Sequence, residues 1–213
     1  MYNQVLFVHA ILGIIFFLVG LLQFVLKRSG KRHRIFGRIY FFSWIGLLLT
    51  GAYIADLLIT IFGIFGFYYV LTGTRAAMLK GKSIQLFDKI IVLAGGIFSL
   101  TLIVYGVKIL MSNNQNFGII SLVFGLLFGL SASQDISKHI IGKPLQKKNF
   151  GKMDWFFDHS ARMIISYIAA VSAFTSIQNI FGNTTANFLV PVALGIIYMR
   201  YTERKYKKEF GLI

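Results

Sequence analysis

The sequence predicts an all-α membrane protein, a polytopic bundle of seven transmembrane helices. Hydrophobic residues make up 56% of the 213 residues and charged residues only 14%, whereas a soluble domain carries about 25% charged residues. The apolar residues fall in runs of about 20, which is the length that a helix needs to cross the hydrocarbon core. These runs use most of the chain, so we expect a single domain over residues 1–213.

The apolar runs set the predicted spans. The first covers residues 4–27, two more lie within 36–79, and the rest cover 88–111, 117–134, 155–178 and 186–201. The turn within 36–79 should fall between Asp56 and Gly66. Gly63 and Gly66 are the residues most expected to form it, because glycine favours turns. The basic segment 27–40 is predicted to be a loop in water, because Lys and Arg are costly in hydrocarbon.

The placement of Lys and Arg predicts the orientation. If the basic segment 27–40 lies inside, every Lys and Arg except Lys108 falls at an inner end of a span. Since cytoplasmic loops are enriched in basic residues, we expect the N-terminus outside and the C-terminus inside. The net charge of +15 does not indicate nucleic acid, because the charges lie between apolar runs. The expected partners are the lipid bilayer and anionic lipids at the inner face; the sequence identifies no protein partner.

Three spans carry stripes of small or polar residues. Such residues let helices approach closely, and polar groups within a membrane need partners. Two stripes begin at His9 in span one and at His159 in span six, and span five has Gly125, Gly129 and Ser133. We expect a buried polar face that includes His9, Gln23 and Arg162. For His9 we favour a neutral imidazole bonded to a neighbouring helix over a role in binding a ligand or carrying a proton.

A series of residues near the start of the chain has a characteristic order. They are His9, Gly13, Gly20, Gln23, His33-Arg34, Gly37-Arg38 and Tyr40. This series resembles the opening signature of a bacterial family of multi-pass membrane proteins described only by a domain of unknown function. Later residues are similar to it as well, among them Thr72 to Ala76, Asp135, Trp155, His159, Met163 and Pro191. The resemblance implies a multi-pass protein of the bacterial inner (cytoplasmic) membrane and no established activity.

Familiar catalytic signatures are absent from the sequence. There is no Cys, which excludes disulfides and thiolate sites. There is also no phosphate-binding loop, no dinucleotide fingerprint and no His-Glu-x-x-His motif. Whether the chain is an enzyme therefore stays open, and the remaining candidates are ionisable groups in or beside the spans, which are costly in a membrane and often functional.

The inner ends of the spans hold the candidate site. His33, His139, His159 and Asp135 all lie there, and Asp135 and His139 are four residues apart, hence on one helical face. Three His and a carboxylate suit zinc or another first-row metal, and two His on facing helices suit a single haem. We therefore hypothesise a metal or haem site at the cytoplasmic mouth of the bundle. The alternative interpretation of the charged residues there is ion pairing and contact with lipid headgroups.

Two further functions remain compatible with the sequence. The chain is either a small-solute or proton-coupled transporter, or an accessory membrane protein that acts through a partner. Bound metal or a haem spectrum, solute flux in proteoliposomes, and co-purification of a partner would distinguish the three classes.

Overall fold

A computed structural model describes residues 1–26, 30–112, 115–143 and 150–213. This part of the chain is all-α, with seven α-helices and no strand, which confirms the predicted fold class. The helices are α1 (Tyr2–Val25), α2 (Lys31–Ile54), α3 (Leu57–Leu79), α4 (Leu86–Met111), α5 (Gln115–Ile136), α6 (Asp154–Ile177) and α7 (Thr184–Glu209). A π-helical segment, Ser137–Ile141, continues α5, and a 3-10 turn, Gly151–Met153, precedes α6.

Five helical segments of the described chain are long and apolar enough to cross a membrane. They are Tyr2–Val25, Lys31–Ile54, Leu86–Met111, Gln115–Ile141 and Gly151–Ile177. Many of their large apolar side chains are exposed, as in α1, where Phe7 is 67% and Ile14 61% accessible. Exposed apolar surface on this scale suits a helix that faces lipid. The chain thus has the features of a multi-pass membrane protein, while spans in α3 and α7 and the orientation of the termini stay predictions.

The chain divides into two compact units, Met1–Leu71 and Thr72–Ile213. The first contains α1, α2 and most of α3, and the second contains the end of α3 with α4 to α7. In the first unit, α1 and α2 pack through aromatic rings: Phe16 stacks on Tyr40 at 4.6 Å and meets Trp44 edge-on at 5.5 Å between ring centroids. The predicted single domain over residues 1–213 stays a prediction.

The basic segment 27–40 is helical over most of its length, so its prediction as a loop is wrong. Residues 27–29 lie outside the described part of the chain, and α2 begins at Lys31. The physical reason is that Lys and Arg are good helix formers. A helix also satisfies its own backbone, so it can continue from hydrocarbon into water. Likewise α7 runs on to Glu209, well past the predicted end at Tyr201.

The turn between the second and third helices lies at the start of the predicted interval, next to Asp56. α2 ends at Ile54 and α3 begins at Leu57, so Gly63 and Gly66 are inside a helix and do not form the turn. Asp56 decides the position, because its Oδ1 accepts a hydrogen bond from the Ile59 amide at 2.9 Å. Such a side chain satisfies a free amide of the first helical turn.

Glycines bring α4 and α5 into backbone contact. A Cβ on Gly106 would lie 2.9 Å from the Leu122 amide nitrogen, and one on Gly118 would lie 2.9 Å from the Leu110 amide nitrogen. The Ser99 hydroxyl also donates to the Gly125 carbonyl at 2.9 Å. Gly125 and Gly129 of the predicted small-residue stripe face α4, but Ser133 is exposed and bonds to its own helix. The contact between the stripe and α4 therefore includes Gly125 and Gly129 but not Ser133.

Pro191 interrupts the hydrogen bonds of α7, and α6 supplies the replacement. Proline has no amide hydrogen, so the carbonyl of Asn187, four residues earlier, loses its helical donor. The Thr175 hydroxyl donates to this carbonyl at 2.5 Å, and the Ser172 hydroxyl donates to the Phe188 carbonyl at 3.1 Å. The Thr175 hydroxyl thus satisfies the carbonyl that the proline frees, and such side chains of neighbouring helices let membrane helices tolerate proline.

We expect Thr175→Val to lower the free energy of unfolding by about 1–2 kcal/mol, because it leaves the Asn187 carbonyl buried without this donor. Unfolding in detergent, followed by circular dichroism, measures the change. In a Pro191→Ala background the restored amide at residue 191 can bond to Asn187, so the same Thr175→Val change should cost much less. Equal costs in the two backgrounds would contradict this role for Thr175.

Candidate functional site

Charged and polar side chains gather at one end of the second unit. Four elements supply them: the last turns of α3, the first turn of α4, the end of α5 with its π-helical continuation, and the first turns of α6. We call this group the polar cluster. Its members are Thr72, Gly73, Arg75, Gln85, Asp88, Asp135, Lys138, His139, Asp158, His159 and Arg162.

Arg162 ties α6 to two other helices. One guanidinium nitrogen lies 2.5 Å from Oδ1 of Asp135 on α5, and the other donates to the Thr72 hydroxyl of α3 at 2.9 Å. The Arg162 and Asp135 side chains are only 14% and 5% exposed. A charge-assisted bond between buried groups is among the stronger polar contacts in a protein, and neither charge could be buried here without the other.

Gly73 allows α3 and α6 to touch beside this ion pair. A Cβ at Gly73 would lie 2.9 Å from Cβ of Arg162, so any larger residue would push the helices apart. His159 uses this proximity, with Nδ1 2.9 Å from the Gly73 carbonyl oxygen. Because a carbonyl only accepts, Nδ1 carries the hydrogen, and in the neutral ring the lone pair is on Nε2.

A second, partly buried ion pair joins α3 to α4. The Nε of Arg75 lies 2.6 Å from Oδ1 of Asp88 and its Nη2 lies 2.9 Å from Oδ2, a two-pronged contact. Nη2 also donates to the Gln85 side-chain oxygen at 3.1 Å, and Asp88 accepts the Gln85 amide hydrogen at 2.9 Å. Asp88 and Gln85 form a capping box at the start of α4, so helix start and ion pair reinforce each other.

His139 interacts electrostatically with the carboxylates of both ion pairs. It is half-buried in the π-helical segment and within electrostatic range of Asp88, Asp135, Asp158 and Arg162. Its neighbour Lys138 donates to Asp158 at 2.8 Å. Three cations, on Arg75, Lys138 and Arg162, thus pair with three carboxylates, so the formal charges of these six groups cancel. Single turns of π-helix occur frequently at functional sites.

The structure brings together four of the seven residues singled out in the sequence: Asp135, His139, His159 and Arg162. His33 belongs to the first unit, where its carbonyl accepts a hydrogen bond from the Gln23 side chain at 3.1 Å. His9, also in that unit, has Nδ1 2.7 Å from the Thr50 hydroxyl, which itself donates to the Gly46 carbonyl at 2.7 Å. Nδ1 of His9 is therefore the donor to Thr50, as a neutral imidazole bonded to a neighbouring helix would be.

The described residues do not form a recognisable metal centre. Among them, no three His, Asp or Glu side chains are grouped so that they could hold one ion. The Asp135 carboxylate is bound to Arg162, and the Nδ1 hydrogen of His159 is bound to the Gly73 carbonyl, which places the lone pair of the neutral ring on Nε2. The hypothesis of a metal or haem site stays a prediction.

The candidate site predicted from the sequence did not include the residues of α3 and α4 that belong to the polar cluster. Thr72, Gly73 and Arg75 come from the end of α3, and Asp88 comes from the start of α4. The available signal was Arg75, a cation at the end of an apolar stretch, since charges in or beside spans tend to be paired or functional. Its partner Asp88 could not be identified, because pairing depends on how the helices are rotated.

Comparisons with protein-family models, with curated proteins and with solved structures gave no match for this chain.

Proposed function

We propose that the chain is a multi-pass protein of a bacterial inner membrane, with seven spans, the N-terminus outside and the polar cluster at the cytoplasmic mouth. Five apolar helices support the membrane location. The position of every Lys and Arg except Lys108 at the same ends of the predicted spans supports the orientation. The sequence resemblance to the bacterial family supports the choice of membrane.

We propose further that the protein couples the movement of a small solute to a proton, with His139 as the proton carrier. The observation that carries this proposal is that His139, half-buried in the π-helical continuation of α5, interacts electrostatically with Asp88 and Asp135. These are the carboxylates of two Arg–Asp pairs, which join α3 to α4 and α5 to α6. Histidine is the side chain whose charge changes near neutral pH. Ionisable groups inside membrane helices commonly mark ion or proton pathways.

Protonation of His139 would change the balance of the cluster. The other charges cancel, so an imidazolium adds one positive charge and attracts Asp135 and Asp88. Each carboxylate already binds an arginine, Arg162 on α6 and Arg75 on α3. Competition for these carboxylates weakens the ties between helices, and a small set of alternative pairings can give two discrete arrangements of the helix ends. In this mechanism proton binding opens the cytoplasmic mouth.

We expect His139→Ala and His139→Asn to abolish proton-coupled transport while leaving the fold intact. Proteoliposomes that contain the pH indicator pyranine would be supplied in turn with monocarboxylates, amino acids and sugars. The wild-type protein should acidify the lumen with at least one solute class, and both variants should fall to the rate of protein-free liposomes. His9→Ala is the matched control, because His9 bonds to Thr50 in the other unit.

Two results would contradict the proposal. One is a wild-type protein that moves no proton with any solute of the panel. The other is unchanged transport in both His139 variants. In either case the polar cluster would serve only to hold the helix ends together. The next function to test would then be that of an accessory membrane protein that acts through a partner.

A further inference from the structure

A lane of exposed side chains runs along α7. At 100° per residue, seven positions of residues 194–208 fall within about 60° of the direction of Tyr201. Tyr198 is half-buried, and the other six form the lane. They are Leu194, Ile197, Tyr201, Arg204, Lys205 and Lys208, and all six are exposed. The side chains of Leu194, Ile197 and Tyr201 are at least 63% accessible, so the rest of the second unit leaves this face of α7 uncovered. The lane is therefore directed at the surroundings of the protein.

The chemistry of the lane changes in one direction. It is aliphatic at Leu194 and Ile197, aromatic at Tyr201, and cationic from Arg204 to Lys208. At 1.5 Å per residue it extends over about 21 Å. Aliphatic residues suit hydrocarbon, tyrosine is enriched at the membrane interface, and Lys and Arg beyond it meet the headgroup layer. The order matches the depth profile of a single lipid leaflet.

The opposite face of α7 holds this lane in place. Tyr206 meets the Phe156 ring at 5.2 Å, and Phe210 meets it at 5.2 Å from the next turn. Lys207 is occupied on that side, with Nζ 2.7 Å from Glu203 and 5.0 Å from the Phe150 ring centroid. The cations of the lane thus stand on a helix end that is packed against an aromatic cluster. The backbone beneath them is already ordered, so binding of a ligand costs little backbone conformational entropy.

We propose that this lane binds an anionic phospholipid, with the acyl chain along Leu194 and Ile197 and the phosphate between Arg204 and Lys208. Arg204 and Lys208 are four residues apart and therefore neighbours on the helix surface. The proposal rests on the proposed membrane span in α7, but it is independent of the proton-coupled function, because it concerns the outer surface of that helix. A phosphate diester with an attached acyl chain matches both halves of the lane.

The absence of Cys provides a clean test. A bimane label on Ile197→Cys reports contact with brominated acyl chains by quenching. Quenching is compared in two mixed bilayers, one with brominated phosphatidylglycerol in unbrominated phosphatidylcholine and one with the bromine on the other lipid. The label should report a preference of about fivefold for phosphatidylglycerol, as expected for cations near a headgroup. The R204Q/K208Q variant should lose the preference, and R204K/K208R should keep it.

Two controls separate a local site from general charge attraction. K82Q/K89Q removes the same charge from other exposed positions of the second unit and should leave the preference unchanged. Soluble glycerol phosphate should not compete. The proposal is overturned if the labelled protein binds both lipids equally, if K82Q/K89Q abolishes the preference as R204Q/K208Q does, or if glycerol phosphate removes it.

Discussion

Asp135→Ala is expected to lower the free energy of unfolding by about 3–5 kcal/mol, because it leaves Arg162 buried without its counter-charge. The two side chains are only 5% and 14% exposed and lie 2.5 Å apart, so water cannot readily replace the lost carboxylate. Arg162 would keep its bond to Thr72, but a neutral hydroxyl does not balance a cation. Unfolding in detergent, monitored by circular dichroism, measures the loss.

Asp158→Ala is the matched control for this effect. It also removes a carboxylate from an ion pair of the polar cluster, but the Lys138 and Asp158 side chains are 33% and 42% exposed. An exposed pair contributes at most about 1 kcal/mol. A D135A/R162M double variant should recover part of the stability, because it removes the orphaned charge together with its partner. Similar losses for Asp135→Ala and Asp158→Ala would show that burial of the Arg162 pair has little energetic weight.

Gly106→Val should separate α4 from α5 and cost about 2–3 kcal/mol, at the upper end of the range for overpacked cores. The new side chain would meet backbone atoms, the Leu122 amide nitrogen at 2.9 Å and the Gly118 carbonyl oxygen at 3.2 Å from its Cβ. Backbone in a helix cannot move aside without breaking its own hydrogen bonds. The helices must therefore shift, and the Ser99 hydroxyl bond to Gly125 is then strained.

Gly96→Val on the same helix is the control for helix propensity and size. The Cβ at Gly96 meets only Cδ1 of Ile136 at 2.9 Å, the far end of a flexible side chain. A rotamer change can relieve that contact, so we expect a clearly smaller loss of stability. Equal melting temperatures for the two variants in detergent would contradict the assignment of Gly106 to a backbone contact.

The fold class and the approximate helix boundaries could be predicted because they follow from the residues of each helix itself. Apolar runs and the charges between them predicted seven helices, and the structure contains seven in its described residues. The errors had local causes as well: the Asp56 side chain positioned the turn that Gly63 and Gly66 were expected to form, and basic residues from Lys31 onward continued a helix that was expected to end in a loop.

The sequence by itself determined that this is a helical membrane protein and that Asp135, His139, His159 and Arg162 stand near span ends, because hydropathy and spacing are read along one dimension. Only the tertiary structure decided which charges meet. Arg162 reaches Asp135 across 27 residues and Thr72 across 90. Such pairs form only when each helix has the right rotation and depth, and those follow from packing at glycines such as Gly73, where a missing side chain lets two helices touch.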